Sequence, residues 1–351
     1  MPKRGRVIVI GSSNTDLVVH TKHLPVAGET VLGGDLQTFA GGKGANQAVA
    51  AARAGAQVYF IGAFGDDEFG AARRRDLEKE GIDCSGCVIK KRTSSGVALI
   101  AIGAGPDRGS GKAENIIVVA PGANARLTPQ DVRKHMPQLG ESDVVLASLE
   151  VPLPAVLEAF RGKKNHGAWN ILNPAPFPLD GMPREILGCS HLLTPNETEF
   201  ESLTGVEAGA EDVREGAQGL LAGTNARSTV TAVAITRGAL GVRVFALEPD
   251  DSQVHEHDHT HDHEGHGDCC GHVHAILREK IFAAPKVKPV DTVGAGDCFN
   301  GYLAAHLAKW PGDVYGAVEY AVAAAALKVT REGAQAGVPR RAEIVKLLKK
   351  K

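Results

Sequence analysis

The sequence predicts an α/β protein: a three-layer αβα sandwich on a mostly parallel central sheet, with a small β-sheet beside it. Short β-branched apolar runs alternate with alanine-rich helical stretches, the pattern of a parallel sheet covered on both faces. Polar or glycine-rich turns follow the strand runs, at the end of such sheets where ligands bind. Two segments, 15–38 and 91–118, carry strand and turn residues without helical period, so they are expected to pair into a sheet of their own, the alternative being two surface hairpins on the main domain.

In chain order, residues 7–10 read as the first buried strand, too short and too β-branched for a signal peptide. Helices are expected at 45–54 and 65–80, with a strand at 58–62 between them. Further strands are expected at 144–149, 169–172, 191–194 and 230–236. Another pair, 241–247 and 275–283, flanks a segment of different character. The main domain is then 1–14, 39–90 and 119–351, and 15–38 with 91–118 form a lid suited to closing over a site.

That segment, 250–274, holds eight of the 14 histidines and the adjacent Cys269 and Cys270. It reads as a low-complexity insertion in a hairpin loop, where added length costs little entropy. Its composition would bind Zn²⁺, Ni²⁺ or Cu²⁺ without fixing a geometry.

Charge excludes some partners. With 39 basic and 41 acidic residues in 351, the net charge is −2, so neither nucleic acid nor a membrane surface is expected as partner. No stretch approaches the roughly 18 apolar residues of a membrane span. Six scattered cysteines fit reduced thiols and a cytoplasmic location. Cys84 and Cys87 have redox or metal spacing, but they follow no βα unit and have no second CxxC, so they read as a loop.

Chemistry concentrates at the strand ends. GSSNTD puts Asn14 and Asp16 after the first strand, where amide and carboxylate suit sugar hydroxyls, or else cap their own turn. AGGKGANQA lets the backbone approach a ligand at Gly41 and Gly42 and leaves Lys43 and Asn46 as polar groups. Glu150 closes VVLASLE. Asn196 and Glu199 follow another strand, with Asn196 equally suited to a helix cap. Thr236, Gly238 and Gly241 mark a strand-to-turn crossing able to admit a nucleotide. Each signal is modest alone, but five such ends after five strands are hard to attribute to accident.

DTVGAGD is the most specific stretch. A helix starting near Ala295 aims the free amides of Ala295, Gly296 and Asp297 out of its first turn, and its dipole adds positive potential. That is an anion hole for a phosphoryl group in transfer, and Asp297 is placed to take the proton of an attacking hydroxyl. No GxxxxGK[ST] occurs, so a P-loop is excluded. The first strand ends in GSSN rather than GxGxxG, which argues against hydride transfer.

Taken together, GSSNTD, PVAGET, AGGKGANQA, GDDEFG, TSSGVALI, LNPAP, TPNETE, ITRGALG, DTVGAGDCFNG and VTREGAQAGVP resemble, in order, the ribokinase branch of the PfkB carbohydrate kinase family. The resemblance implies a ribokinase-like fold with a β-sheet lid. It implies ATP-dependent phosphorylation of D-ribose on its 5-hydroxyl, with Mg²⁺ carried by the nucleotide. Asn14, Thr15, Asp16, Gly42, Lys43, Gly44, Ala45, Asn46 and Glu150 match ribose-contacting positions. Asp297 matches the catalytic base, with Gly294, Ala295 and Gly296 in the anion hole. Asn196, Thr236, Arg237, Gly238, Ala239, Leu240, Gly241, Gly296, Asp297 and Val322 match ATP contacts. Asp291, Val293, Lys328, Arg331, Gly333 and Gly337 match a K⁺ loop that uses mostly backbone carbonyls. A homodimer through the lid is also implied.

Four departures stand out. Val322 replaces a histidine that often flanks adenine, and Gly337 replaces a serine that ligates the cation in some relatives. The insertion at 250–274 and the long turn at 103–113 are foreign to the pattern. Neighbouring readings are a deoxyribokinase, a fructokinase or a nucleoside kinase. A reading from another class is a metal-buffering protein acting through the histidine-rich loop.

Overall fold

The computed structural model describes residues 5–104, 113–162, 164–165, 167–222, 230–249 and 275–349. The metal-binding expectation for 250–274 lies outside the described residues, as does most of the long turn at 103–113.

The larger sheet has eight strands in the order β14 (Ala275–Phe282), β13 (Val242–Pro249), β12 (Ala232–Thr236), β11 (Leu192–Leu193), β10 (Trp169–Leu172), β9 (Val144–Ala147), β1 (Arg6–Ile10) and β4 (Gln57–Ile61). All neighbours from β12 to β4 are parallel, while β13 and β14 form an antiparallel hairpin at the edge. Alternation along β1 divides the core in two. Val7 and Val9 pack on the side of α1 (Lys43–Arg53), α8 (Ala295–Leu307), α9 (Val314–Lys328) and α10 (Arg341–Leu348). Ile8 and Ile10 pack on the side of α3 (Pro129–His135), α4 (Leu153–Arg161), α5 (Arg184–Leu187), α6 (Glu197–Thr204) and α7 (Val213–Ala222). The result is the three-layer αβα sandwich that the alternation predicts.

The smaller sheet has the order β3 (Gln37–Gly41), β2 (Asn14–His23), β7 (Gly96–Ala104) and β8 (Ala113–Ala120). Its strands run past the expected edges at 38 and 118, because the ladder continues to the pair Asn14↔Gly41 and through β8 to Ala120.

Other boundaries differ for local reasons. The expected helix 65–80 starts only at Glu68 in α2 (Glu68–Lys79): Gly65 belongs to β5 (Ala63–Gly65), which pairs with β6 (Val88–Lys90), and the Asp67 carboxylate caps the helix by accepting from the Gly70 N–H at 2.8 Å. The strand 144–149 stops at Ala147, so Glu150 stands in the bend beyond it. Cys84 and Cys87 are free thiols in a loop, and among the described residues no group of three metal-ligating side chains forms. No helix among the described residues is long and apolar enough to cross a membrane.

Because β4 flanks β1 on one side and β9 on the other, the sheet grows in opposite directions from β1. That opens a crevice at the carboxyl ends of β1 and β9. The crevice depends on a backbone contact: a Cβ on Gly44 would lie 2.5 Å from the Cα of Gly11. Gly44→Ala is therefore expected to destabilise the fold by about 1–3 kcal/mol, read as a lower midpoint in thermal melts followed by circular dichroism.

Candidate active site

Three segments form the floor of the crevice. Ser12 Oγ donates to Glu150 Oε2 at 2.5 Å, and the Lys43 N–H donates to the same oxygen at 3.0 Å, which ties the end of β1 to the start of α1. Gly42 has φ +89°, and a Cβ there would meet the Asn14 nitrogen at 2.7 Å, so only glycine turns the chain from β3 into the helix. Asn14 is fixed in turn: its Oδ1 accepts from Asn124 Nδ2 at 2.7 Å, and Asn124 Oδ1 accepts from the Ser13 N–H at 3.0 Å. Asp16 projects over Gly41, where a Cβ would come within 2.2 Å of its carboxylate. Burial, with Glu150 adding, pushes the Asp16 carboxyl up to about 6 against the pull of Arg73. The buried Thr15 hydroxyl has no hydrogen-bond partner among the described residues.

The wall is α8, and Gly294 precedes it in the left-handed region at φ 74° without a capping side chain. The Ala295 N–H is not open as expected, since it donates to the Thr292 carbonyl at 3.2 Å. Gly296 and Asp297 keep amides with no acceptor among the described residues, and a Cβ on Gly296 would meet nothing within 4 Å. The anion hole is therefore narrower than the sequence suggests.

Asp297 is gripped from α1. Its Oδ2 accepts from Asn46 Nδ2 at 2.9 Å and its Oδ1 from Gln47 Nε2 at 3.2 Å. Gln335 Nε2 holds Asn46 Oδ1 at 3.0 Å, and Gln47 Nε2 also reaches Asn173 Oδ1 at 3.1 Å. The two helices approach this closely because Gly301 has no side chain: a Cβ there would sit 2.4 Å from the Gln47 carbonyl oxygen. Burial pushes the Asp297 carboxyl up, opposed by Lys43 and the two amides. Burial also opposes the charge on Lys43, but Asp297, Glu150 and Glu199 outweigh it and hold the ammonium above its ordinary value. Lys43 is thus charged beside Asp297.

Farther along the crevice, Asn196 caps α6 by accepting from the Glu199 N–H at 2.8 Å, while Glu199 accepts from the Asn196 N–H at 2.9 Å. The capping alternative is therefore the one seen. Asn196 bridges to Thr236, which brings α6 beside the turn that follows β12. In that turn Arg237 lies near Glu197, Gly238 and Gly241 have φ +51° and +89°, and Leu240 after Ala239 is 59% exposed, leaving an apolar ledge. Val322 is only 7% exposed and packs into the core.

The loop before α8 holds a cation of its own. Lys328 Nζ, with a side chain 0% exposed, donates to the Asp291 carbonyl at 2.9 Å and lies 3.5 Å from Asp291 Oδ2. Burial lowers its pKa, with Asp291 opposing. The Asp291 carboxylate also accepts from the Val293 and Gly333 N–H groups, at 2.9 and 2.8 Å. The Lys328 and Gly333 carbonyls accept from the Arg331 and Gly337 amides. A Cβ at Gly337 would stand 2.8 Å from the Gly333 oxygen and 3.0 Å from that of Arg331, so a serine does not fit without a shift. These residues do not suit a resident K⁺.

A separate cavity, bounded by Gly5, Gln57, Asp143 and Trp310, opens at the amino ends of β1, β4 and β9, opposite the end where such sheets bind ligands.

The family model for pfkB family carbohydrate kinases matches residues 4–262 and 277–341. The chain belongs to this family. As a pfkB kinase it is a phosphotransferase, and its sandwich is the ribokinase-like fold. Two curated relatives are the ribokinases of Haemophilus influenzae, 35% identical over 98% of this chain and 99% of the relative, and of Bacillus subtilis, 36% identical over 97% and 99%. The deoxyribokinase of Salmonella typhi is 33% identical over 95% of each chain. Among solved structures, the Thermotoga maritima ribokinase aligns with a TM-score of 0.76 at 31% identity over 98% and 99% of the two chains. The Arabidopsis thaliana ribokinase with ribose and ATP aligns at 0.76 and 25% over 99% of each.

Sequence reasoning missed Gln47, Asn124 and Asn173 as groups that hold the pfkB site together. Gln47 had a visible signal: with Asn46 it is an amide at the head of an otherwise alanine-rich helix.

Proposed function

We propose that this kinase transfers the γ-phosphoryl group of ATP to the 5-hydroxyl of D-ribose. The observation that carries the reading is Asp297, a buried carboxylate held by Asn46 and Gln47 at the open first turn of α8, beside a charged Lys43.

Asn14, Thr15, Asp16, Gly42, Lys43, Gly44, Ala45, Asn46 and Glu150 line the floor and hold the sugar, their amides and carboxylates exchanging hydrogen bonds with its hydroxyls. The unpaired Thr15 hydroxyl supports this. Asp297, with its pKa raised toward that of a useful base, takes the 5-hydroxyl proton as the oxygen attacks. The Gly296 and Asp297 amides and the helix dipole face the charge that develops on the phosphoryl group, with Gly294 and Ala295 shaping the turn. The base of the nucleotide rests on the ledge from Thr236 through Arg237, Gly238, Ala239 and Leu240 to Gly241, between Asn196 and the edge of Val322.

Mg²⁺ fits this site as an ion that arrives with the nucleotide. The described residues gather no cluster of three ligands, and the half-buried Glu199 is the carboxylate at hand to hold it. Bound there, Mg²⁺ neutralises charge on the phosphates.

The smaller sheet is read as the lid and as a dimer surface. Leu99, Ile116, Ile117, Val118 and Val119 are exposed around its edge strand β8. Light scattering is expected to give a dimer that Ile117→Lys with Val119→Lys converts to monomer; a monomeric parent protein would refute this. A cytoplasmic location is supported by the free thiols Cys84, Cys87, Cys189 and Cys298.

The deciding experiment is ADP release with Mg²⁺-ATP and D-ribose, 2-deoxyribose, fructose or adenosine. Ribose is expected to give the highest kcat/KM. The Salmonella relative makes 2-deoxyribose the competing substrate, and a preference for it would move the reading to that sugar.

A further inference from the structure

The K⁺ expected beside the anion hole has a rival in the chain itself. Lys328 is the last residue of α9, where the helix dipole favours positive charge. Its side chain is fully buried, and its ammonium bonds the Asp291 carbonyl and lies beside the Asp291 carboxylate. Those two groups belong to a residue expected to ligate the free ion. Asp291 opens the loop that leads through Val293 and Gly294 into the first turn of α8, and its carboxylate ties Val293 to Gly333 across that loop. Serine at Gly337, the side-chain ligand used by some relatives, would meet the carbonyls of Gly333 and Arg331.

We infer that the Lys328 ammonium is a tethered monovalent cation that does the work of K⁺ in ordering the 291–294 loop, so that phosphoryl transfer by this kinase does not depend on K⁺. Lys328 is then a positioning residue: it touches neither sugar nor nucleotide and acts through Asp291 on the Gly296 and Asp297 amides. A tethered cation is present at effectively saturating concentration whatever the salt. The inference rests on the kinase reading of the site.

The test compares the wild-type protein and Lys328→Ala in KCl, NH₄Cl and choline chloride at matched ionic strength, by turnover with ribose and by thermal melting. Wild-type turnover and melting temperature are expected to be the same in all three salts. Lys328→Ala is expected to lose turnover in choline and to regain it in K⁺ or NH₄⁺, with a matching rise in melting temperature. The recovery should be of the size usual for coupled sites, about five- to 150-fold. Saturable K⁺ activation of the wild type overturns the inference, as does a variant fully active in choline or one that neither ion revives. If the variant does not fold, the wild-type comparison decides alone. If no sugar is phosphorylated, the functional reading fails, and the melting temperature still decides the cation question: a K⁺-specific rise in the wild type refutes the inference.

Discussion

Asp297→Asn is expected to lower kcat with ribose by about 10²–10⁴-fold, the usual share of a positioned general base, with kcat/KM falling in step. The loss should come without loss of fold. Burial raises the folded-state pKa of Asp297 above its ordinary value, so the stability linked to this group is fully present below the ordinary aspartate pKa and is lost as pH rises through the folded value. A permanently neutral asparagine escapes that loss. Melting temperatures of the variant should match or exceed wild type at neutral pH, and the difference should close toward acid. Unaltered turnover would remove Asp297 from the mechanism, and a collapsed melt would mean that the carboxylate is structural.

Asp16→Ala is expected to act on KM instead. A hydrogen bond to a charged group is worth about 1.5–3 kcal/mol, so KM for ribose should rise about ten- to a hundredfold with kcat little changed. Because the Asp16 carboxyl is pushed up to about 6, the wild-type KM should also climb as pH falls through that value, and the slope should vanish in the variant. A pH-independent wild-type KM would show that the sugar does not read the charge of Asp16. The two carboxylates thus separate experimentally, one in kcat and one in KM.

The parts of this architecture visible in the sequence are those with a local cause. β10 falls where a short strand-like run, apolar but for Asn170, says it should, and α8 starts at Ala295 because a glycine turn precedes it. Boundaries failed where a distant partner intervened, as at Gly65, which pairs with Lys90 before α2 begins. The grip on Asp297 had the same obstacle: Gln47 reaches it across 250 residues and Asn124 reaches Asn14 across 110, separations that leave no periodic trace. Lys328 is the instructive case. A resemblance assigned it for its backbone oxygen, yet a lysine closing the run AVAAAALK in a buried helix was itself the signal that an ammonium had to find a buried anion.

The pair Asn14↔Gly41 closes the smaller sheet at its junction with the larger domain, where Gly42 turns into α1 and Ser12 meets Glu150. If the smaller sheet pivots, this junction is its axle, and points on an axle travel least. The groups proposed to grasp the sugar would keep their spacing while Leu99 and Ile116 sweep through a wide arc. Sugar affinity should then be indifferent to the angle of the cover. What the angle would govern is how much water reaches the phosphoryl group, and so the rate of wasteful ATP hydrolysis relative to transfer.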